Sequence, residues 1–275
     1  MTKKRKKPLL RSLLSWLGGK SLLKELILSM FPEDHKCFVE AFAGGASVYF
    51  AKQPSKVEVL NDVNKDLINF YTVVRDKYGQ LIDSLRWELC SRKQFERYFR
   101  DLQNPEMRET LTDVELAKRF FYIIKLSFAG QGKSFGYGTT TKPKLNLGEI
   151  ENIINKAHER LERTYIECLD YFNIIERYDR EHTLFYLDPP YRTPSARVYA
   201  QFFRDSDFIE LRDRLLGIKG KFILSLNKDD FIKDLFMPHF RVETVKTTYS
   251  VQANKVNKVE EYLIMNYDPP LDKSN

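Results

Sequence analysis

Short, fully apolar runs ending on glycine, proline or a carboxylate alternate with stretches whose apolar residues recur at helical spacing. The first kind reads as strands buried on both faces, the second as the helices that cover them. Strands are predicted over Cys37–Glu40, Val57–Leu60, Leu184–Leu187 and Lys221–Asn227, with a further one near Tyr165–Cys168. Helices are predicted over Leu22–Met30, Val48–Lys52, Val63–Arg75, Ile150–Leu161, Asp207–Leu216 and Asp230–Phe236. Between Asp66 and Arg163 helical patterns take over, at Leu67–Val74, Leu81–Leu89, Phe95–Leu102 and Val114–Leu126, rich in Arg, Lys and aromatic residues. The chain closes on two β-type runs, Arg241–Tyr249 and Glu260–Tyr267. The polar stretch between them, Val251–Lys258, predicts a hairpin with a long loop. This alternation implies an α/β fold, with residues 1–65 and 164–275 forming a sheet domain and residues 66–163 a mostly helical insertion.

Composition narrows the class without choosing a function. At 43% hydrophobic and 30% charged, the 275 residues match an ordinary soluble protein able to bury a sizeable core. No apolar run approaches the ~20 residues that cross a bilayer, and the amino terminus lacks a signal peptide's apolar core. Cys37, Cys90 and Cys168 form no CxxC or Cys/His cluster, so no disulfide framework and no metal are expected. A reducing cytoplasm fits that pattern. A net charge of +7 favours a polyanionic partner. Residues 1–8 form a basic arm that could touch phosphate or act as a solubilising tail.

Candidate chemistry starts where the Leu184–Leu187 strand ends, on Asp188-Pro189-Pro190-Tyr191. Two prolines stop sheet pairing and leave carbonyls free at the strand's carboxyl end, the edge where open α/β sheets bind ligands. Asp188 and the Pro189 carbonyl offer two acceptors side by side near the Tyr191 ring. That arrangement suits a flat molecule bearing an NH₂ group, such as adenine. Upstream, Cys37–Glu40 runs into the small-residue turn Ala41–Ser47, with Gly44 and Gly45, as in nucleotide-binding βα units. The dinucleotide fingerprint G-x-G-x-x-G is absent, which counts against NAD. Asp62 follows the second strand, about 18 residues beyond Gly44, where such units grip ribose; an N-cap for the next helix is the alternative. Gly18-Gly19-Lys20-Ser21 evokes a P-loop, but that spacing needs glycine at Leu14. What remains is a tight turn holding Lys20 beside Trp16. Residues 125–144 hold four of the chain's 12 glycines among Lys133, Tyr137 and Lys142. This loop can contact phosphates and stack on bases, or simply link helices.

Taken together and in order, Trp16-Leu17-Gly18-Gly19-Lys20, Phe38–Gly45, Asn61-Asp62 and Asp188-Pro189-Pro190-Tyr191 resemble the Dam-type, α-class (D12) DNA adenine-N6 methyltransferases. The likeness extends over nearly the whole sheet domain, including Val256–Tyr267. It implies a Rossmann-like, seven-stranded mixed sheet that uses S-adenosyl-L-methionine, with a target-recognition domain between the cofactor half and the Asp-Pro-Pro-Tyr half. Trp16, Gly18 and Lys20 would line the cofactor site, Glu40, Phe42, Gly44 and Gly45 would cradle its methionine part, and Asp62 would hold the ribose. Asp170 or Tyr171 would lie beside the cofactor's adenine, and Asp188 would border both cofactor and substrate. Asp188, Pro189, Pro190 and Tyr191 would be catalytic, and Lys133, Tyr137 and Lys142 would contact double-stranded DNA. A cognate restriction endonuclease is the further partner that a restriction–modification role would bring. The best-known members carry Asn-Gly where this chain has Ala129-Gly130-Gln131-Gly132, so their recognition sequence does not carry over.

The residues suit that chemistry. Adenine N6 is a poor nucleophile because its lone pair is delocalised into the ring. Two acceptors gripping its hydrogens favour a pyramidal nitrogen aimed at the methyl group. Inside a duplex the base must first be flipped out. Cytosine-N4 methylation has the same geometry but more often carries Ser in place of Asp188. Carbon-5 cytosine chemistry would need a nucleophilic cysteine, typically after proline, and here the cysteines follow Lys36, Leu89 and Glu167. A catalytically silent DNA-binding module of the same fold is the alternative from another class.

Overall fold

The computed structural model describes residues 9–16, 18–20, 22–140, 142, 145–192, 203–252 and 255–270, with backbone alone over 247–252 and 255–258. The basic arm, Leu17, Ser21 and Tyr199–Phe202 lie outside the described residues. Seven strands form one sheet in the order β3-β2-β1-β4-β5-β7-β6. These are β1 (Cys37–Glu40), β2 (Val57–Asn61), β3 (Thr164–Glu167), β4 (Thr183–Leu187), β5 (Lys221–Asn227), β6 (Arg241–Gln252) and β7 (Lys255–Met265). β1 to β5 pair in parallel, while β7 runs antiparallel to both β5 and β6. The sheet is therefore seven-stranded and mixed.

Helices cover both faces, which is why the central strands read as unbroken apolar runs. On one face lie α1 (Lys24–Ser29), α2 (Ser47–Ala51), α3 (Lys65–Asp76), α4 (Tyr78–Leu85), α7 (Asp113–Leu126) and α8 (Leu147–Leu161), sharing a core with Phe38, Leu184 and Leu263. α5 (Arg92–Gln103) and α6 (Pro105–Glu109) lie farther out, and Phe95 and Tyr98 of α5 build a small second core with Tyr122 of α7. The opposite face is covered by α9 (Tyr171–Tyr178), α10 (Asp205–Leu216) and α11 (Asp230–Phe236), packed on Val39, Phe185 and Leu224. The insertion therefore grows out of the sheet's own helical layer: Phe70 of α3 stacks on Phe121 of α7 at 5.4 Å.

Three local expectations change. The hairpin is tight, because β6 and β7 pair as far as Gln252 with Lys255. β5 pairs only as far as Asn227 with Glu261, so the strand pairs beyond it extend past the sheet and need no apolar alternation. The predicted helix Leu81–Leu89 ends at Leu85, and Trp87 and Leu89 project into solvent. The helix predicted from Val63 begins at Lys65, capped by the Asn64 side chain, which accepts the Asp66 and Leu67 N–H groups. α6 and α9 are additions that the apolar pattern alone does not mark.

The exit from the insertion is pinned at the end of the sheet opposite the cleft described below. Glu58 of β2 takes Lys52 at 2.5 Å and the Arg160 guanidinium, all three side chains being buried. Arg160 also lies 4.0 Å over the Tyr49 ring. Burial alone would raise the Glu58 carboxyl; hydrogen bonds and charges from Arg160 and Lys52 outweigh it and hold the group below its usual range. Its contribution to stability is therefore present above the ordinary carboxylate pKa and is lost as pH falls through the lowered one. Glu58→Gln leaves two buried cations facing each other and is expected to cost ~3–5 kcal/mol in urea unfolding at neutral pH. A loss under ~1 kcal/mol would contradict this reading of a buried ionic pin.

Candidate active site

Strand order reverses between β1 and β4, and ligands bind outside the carboxyl ends of strands at such a point. Glu40, the last residue of β1, is in register with Tyr186, two residues before Asp188. The Ala41 N–H donates to the Tyr186 carbonyl at 3.0 Å. The small-residue turn and the Asp-Pro-Pro-Tyr turn therefore leave the sheet side by side.

Carboxylates and hydroxyls hold the first turn. Glu40 is buried and accepts the Tyr49 N–H at 2.8 Å, tying β1 to the first turn of α2. Burial pushes its carboxyl well above the usual range. Gly44 has φ +46° and donates its N–H to Asp62 Oδ2 at 2.9 Å, while its carbonyl accepts the Tyr71 hydroxyl at 2.7 Å. Asp62 Oδ1 accepts the Asn64 N–H at 2.9 Å. Asp62 thus ties the turn after β1 to the end of β2, and the helix cap falls to Asn64. Asn61 completes the edge with bonds to the Ala41 carbonyl and to both backbone groups of Leu169, each at 2.9 Å.

The segment before α1 lies across this turn. Leu9 and Leu10 donate their N–H groups to the Ala51 and Phe50 carbonyls, and the Ser12 hydroxyl bonds the Gly45 carbonyl. Trp16 covers both glycines. A Cβ on Gly44 would fall 2.8 Å from its indole, and one on Gly45 would fall 2.9 Å from its own Cβ. Gly18 adopts φ +78° and turns the chain so that Lys20 points inward. Lys20 is buried, with its ammonium 2.7 Å from Asp188 Oδ1, 3.2 Å from the Gly18 carbonyl and 4.6 Å from the Tyr191 ring centre.

Asp188 keeps 17% of its side chain exposed, yet burial pushes its carboxyl up to about 6 against the lowering pull of Lys20. Lys20 occupies Oδ1, and Oδ2 accepts no hydrogen bond among the described residues. The Tyr191 hydroxyl donates to Glu261 Oε2 at 2.6 Å, and the Ser225 hydroxyl reaches the same oxygen at 3.2 Å. Glu261 and Ser225 were not among the expected site residues. Their signal is faint, a glutamate and a serine inside the apolar strands Glu260–Tyr267 and Lys221–Asn227. Only the antiparallel turn of β7 brings Glu261 to the cleft.

An aromatic wall closes the other side. Phe42 stacks on Tyr171 at 5.8 Å, and Phe203 packs against both rings. Asp170, expected beside a cofactor, caps α9 by accepting the Asn173 N–H at 2.9 Å and lies exposed at the rim.

Residues 16–251 match the D12 class of N6 adenine-specific DNA methyltransferases. The chain belongs to that family. A Type II methyltransferase of Lactococcus lactis subsp. cremoris is 27% identical over 94% of this chain and 96% of its own. A Type II methyltransferase of Methanocaldococcus jannaschii is 29% identical over 92% and 98% respectively. The DNA adenine methylase of Escherichia coli strain K12 is 26% identical over 94% and 96%. The expectation drawn from the motifs and the family match agree.

In this D12 methyltransferase the glycine-rich loop divides into an inner and an outer part. Gly130 is buried at φ +71°, and a Cβ there would lie 1.9 Å from the Ser15 carbonyl oxygen. Phe120 of α7 reaches Trp16 from the same side, with ring centres 6.3 Å apart. Outside, Lys133, Tyr137 and Lys142 are exposed, and among the described residues neither lysine forms an ion pair. Arg92, at the start of α5, lies 4.9 Å from the Phe135 ring centre and 5.3 Å from that of Tyr137. A hollow of about 570 Å³ opens between Phe128, Ser134 and Thr139. Thr141, Pro143 and Lys144 lie outside the described residues.

The glycine-rich loop and the Trp16 segment are thus in backbone contact. Gly130→Ala adds a methyl where backbone leaves no room, besides ~1–2 kcal/mol for a left-handed non-glycine residue. The loop must move, and Trp16 with it. Tryptophan emission in a Trp87→Phe background, which leaves Trp16 as the reporter, is expected to shift; an unchanged spectrum and melting temperature would contradict the contact.

Proposed function

We propose that this chain moves the methyl group of S-adenosyl-L-methionine to the N6 amine of an adenine flipped out of duplex DNA at a specific site. The observation that carries the proposal is Asp188-Pro189 at the end of β4, beside the glycine turn that ends β1 and against a buried lysine. Trp16, Gly18, Lys20, the Glu40–Gly45 turn and Asp62 would hold the cofactor, with Phe42 and Tyr171 as an apolar wall and Asp170 at the rim. The donor set fits. Asp188 and Glu261 approach Lys20 at 2.7 and 3.9 Å and set two carboxylates beside the turn, which suits a cationic group. The glycines leave no side chain between the turn and the Trp16 indole. S-adenosyl-L-methionine supplies a methyl group made electrophilic by its sulfonium.

The protein's part is positioning and proton management. Asp188 Oδ2 and the Pro189 carbonyl take the two amine hydrogens, turning the nitrogen lone pair toward the methyl group. Tyr191 stacks on the extruded ring, offsetting ~1–3 kcal/mol of the flipping cost. Once N6 carries the methyl group it is positively charged and gives up a proton readily. Asp188, with its carboxyl raised to about 6, can receive that proton and release it to solvent near neutral pH.

The insertion, residues 66–163, would present the DNA. Arg92, Lys133, Tyr137 and Lys142 combine charge that forms no ion pair among the described residues with rings, the pairing that phosphates and unstacked bases require. Such a protein works where DNA and reduced cysteines coexist, in the cytoplasm, and a cognate endonuclease cutting the same site is its natural counterpart. Among the described residues no helix is long and apolar enough to cross a membrane.

Asp188→Ala is expected to lower methyl transfer at least ~10³-fold with the fold retained, read as tritium incorporated into DNA beside circular dichroism. Near-normal transfer would sink the mechanism. In the unaltered protein the rate is expected to fall as pH drops through about 6, because protonated Asp188 no longer accepts. A rate flat from pH 8 to 5 would remove Asp188 from the acid limb. Reversing charge at Lys133 and Lys142 together is expected to reduce the slope of log affinity against log salt by about 2. An unchanged slope would put the DNA face elsewhere.

A further inference from the structure

Glu261 comes from β7, the strand that runs against the others, yet its carboxylate sits under the Asp-Pro-Pro-Tyr turn. It is completely buried and holds the Tyr191 hydroxyl at 2.6 Å and the Ser225 hydroxyl at 3.2 Å, with the Lys20 ammonium 3.9 Å away. Burying a carboxylate is costly, and a packed apolar residue on β7 would serve stability better. Its placement makes sense through what it touches. A tyrosine ring anchored only at its Cβ can swing about two torsions; a hydrogen bond at the hydroxyl fixes the ring at both ends. The same oxygen flanks Lys20, so the ammonium lies between two carboxylates with the Tyr191 ring across it.

We propose that Glu261 is a positioning residue for methyl transfer. It fixes the Tyr191 ring as the platform for the extruded adenine and steadies Lys20 on one oxygen of Asp188, leaving the other for the amine. The proposal rests on the adenine-N6 reading above. Glu261 touches neither adenine nor methyl group; it acts through Tyr191 and Lys20. Among the described residues, Lys20, Glu40, Tyr186 and Glu261 are charged and titratable groups that face Asp188, from the amino-terminal segment, β1, β4 and β7. Burial is the main cause that raises the Asp188 carboxyl, and the like charge of Glu261 adds to it, so removing that charge moves the acid limb of the rate to lower pH.

The test uses the full chain with Glu261→Gln, Tyr191→Phe and the double variant, on adenine-containing duplexes chosen by sequencing methylated mixed-sequence DNA. Single-turnover transfer at saturating cofactor and DNA is expected to fall about tenfold or more in each single variant, with KM for DNA changing less. The double variant is expected to be within about twofold of the slower single one, because both act on the same charge-assisted Tyr191–Glu261 hydrogen bond, which Glu261→Gln weakens and Tyr191→Phe removes. The acid limb should move down in Glu261→Gln and stay in place in Tyr191→Phe. A folded Glu261→Gln protein with unaltered rate and unaltered acid limb overturns the proposal. Should Glu261→Gln fail to fold, full-rate transfer by Tyr191→Phe overturns it instead. Failure of the adenine-N6 reading looks different: the unaltered chain itself would transfer no methyl group to adenine.

Discussion

The ion pair between Lys20 and Asp188, 2.7 Å long and 168 residues apart in sequence, is the contact around which the cleft is arranged. It joins a segment crossing the sheet's edge to the turn at the end of a central strand. Each partner would be costly to bury alone. Lys20 can be buried because Asp188 and Glu261 flank it, and Asp188 can stay largely sunk because Lys20 opposes the loss of water. The result is a carboxylate raised only to about 6, ionised at neutral pH and still able to take a proton. An apolar pocket without the lysine would leave it protonated, and an exposed one would make it a weaker base.

Position in the sheet does the rest. The reversal of strand order between β1 and β4 sends two loops out side by side, the small-residue turn and the Asp-Pro-Pro-Tyr turn, at the edge where such sheets bind ligands. The helical insertion leaves after β2 and returns into β3, so its root sits next to the glycine turn that ends β1. That proximity becomes contact at Gly130 and Ser15, and at Phe120 and Trp16. If the proposed roles hold, this glycine-rich loop seated on the Trp16 segment gives DNA binding and cofactor binding a shared structural element. Coupling between two such sites, where it exists, acts equally in both directions.

Much of this was legible in the residues. Strands buried on both faces announce themselves as apolar runs, and Cys37–Glu40 and Lys221–Asn227 came out residue for residue. Asp188, Gly44 and Asp62 were conspicuous because they stand in the turns that follow β4, β1 and β2, and Lys20 because a double glycine precedes it. Glu261 was not, since a glutamate inside a strand carries no local signal of which cleft it faces; pairing partners decide that. The loop glycines were only half legible. Their density marked a loop, but that Gly130 serves internal packing while Lys133 and Tyr137 face outward depends on a contact with residue 15. Past Leu85 the apolar pattern continued into Trp87 and Leu89, which are exposed, because hydrophobic spacing records neither a helix's end nor a surface kept for a partner.

The most direct measurement is nucleoside analysis of mixed-sequence duplex DNA after incubation with the protein and tritiated S-adenosyl-L-methionine. Asp188 gripping an exocyclic amine beside a stacking tyrosine predicts label in N6-methyldeoxyadenosine, confined by sequencing to one short motif. Label in N4-methyldeoxycytidine, or DNA that stays unlabelled, would contradict it.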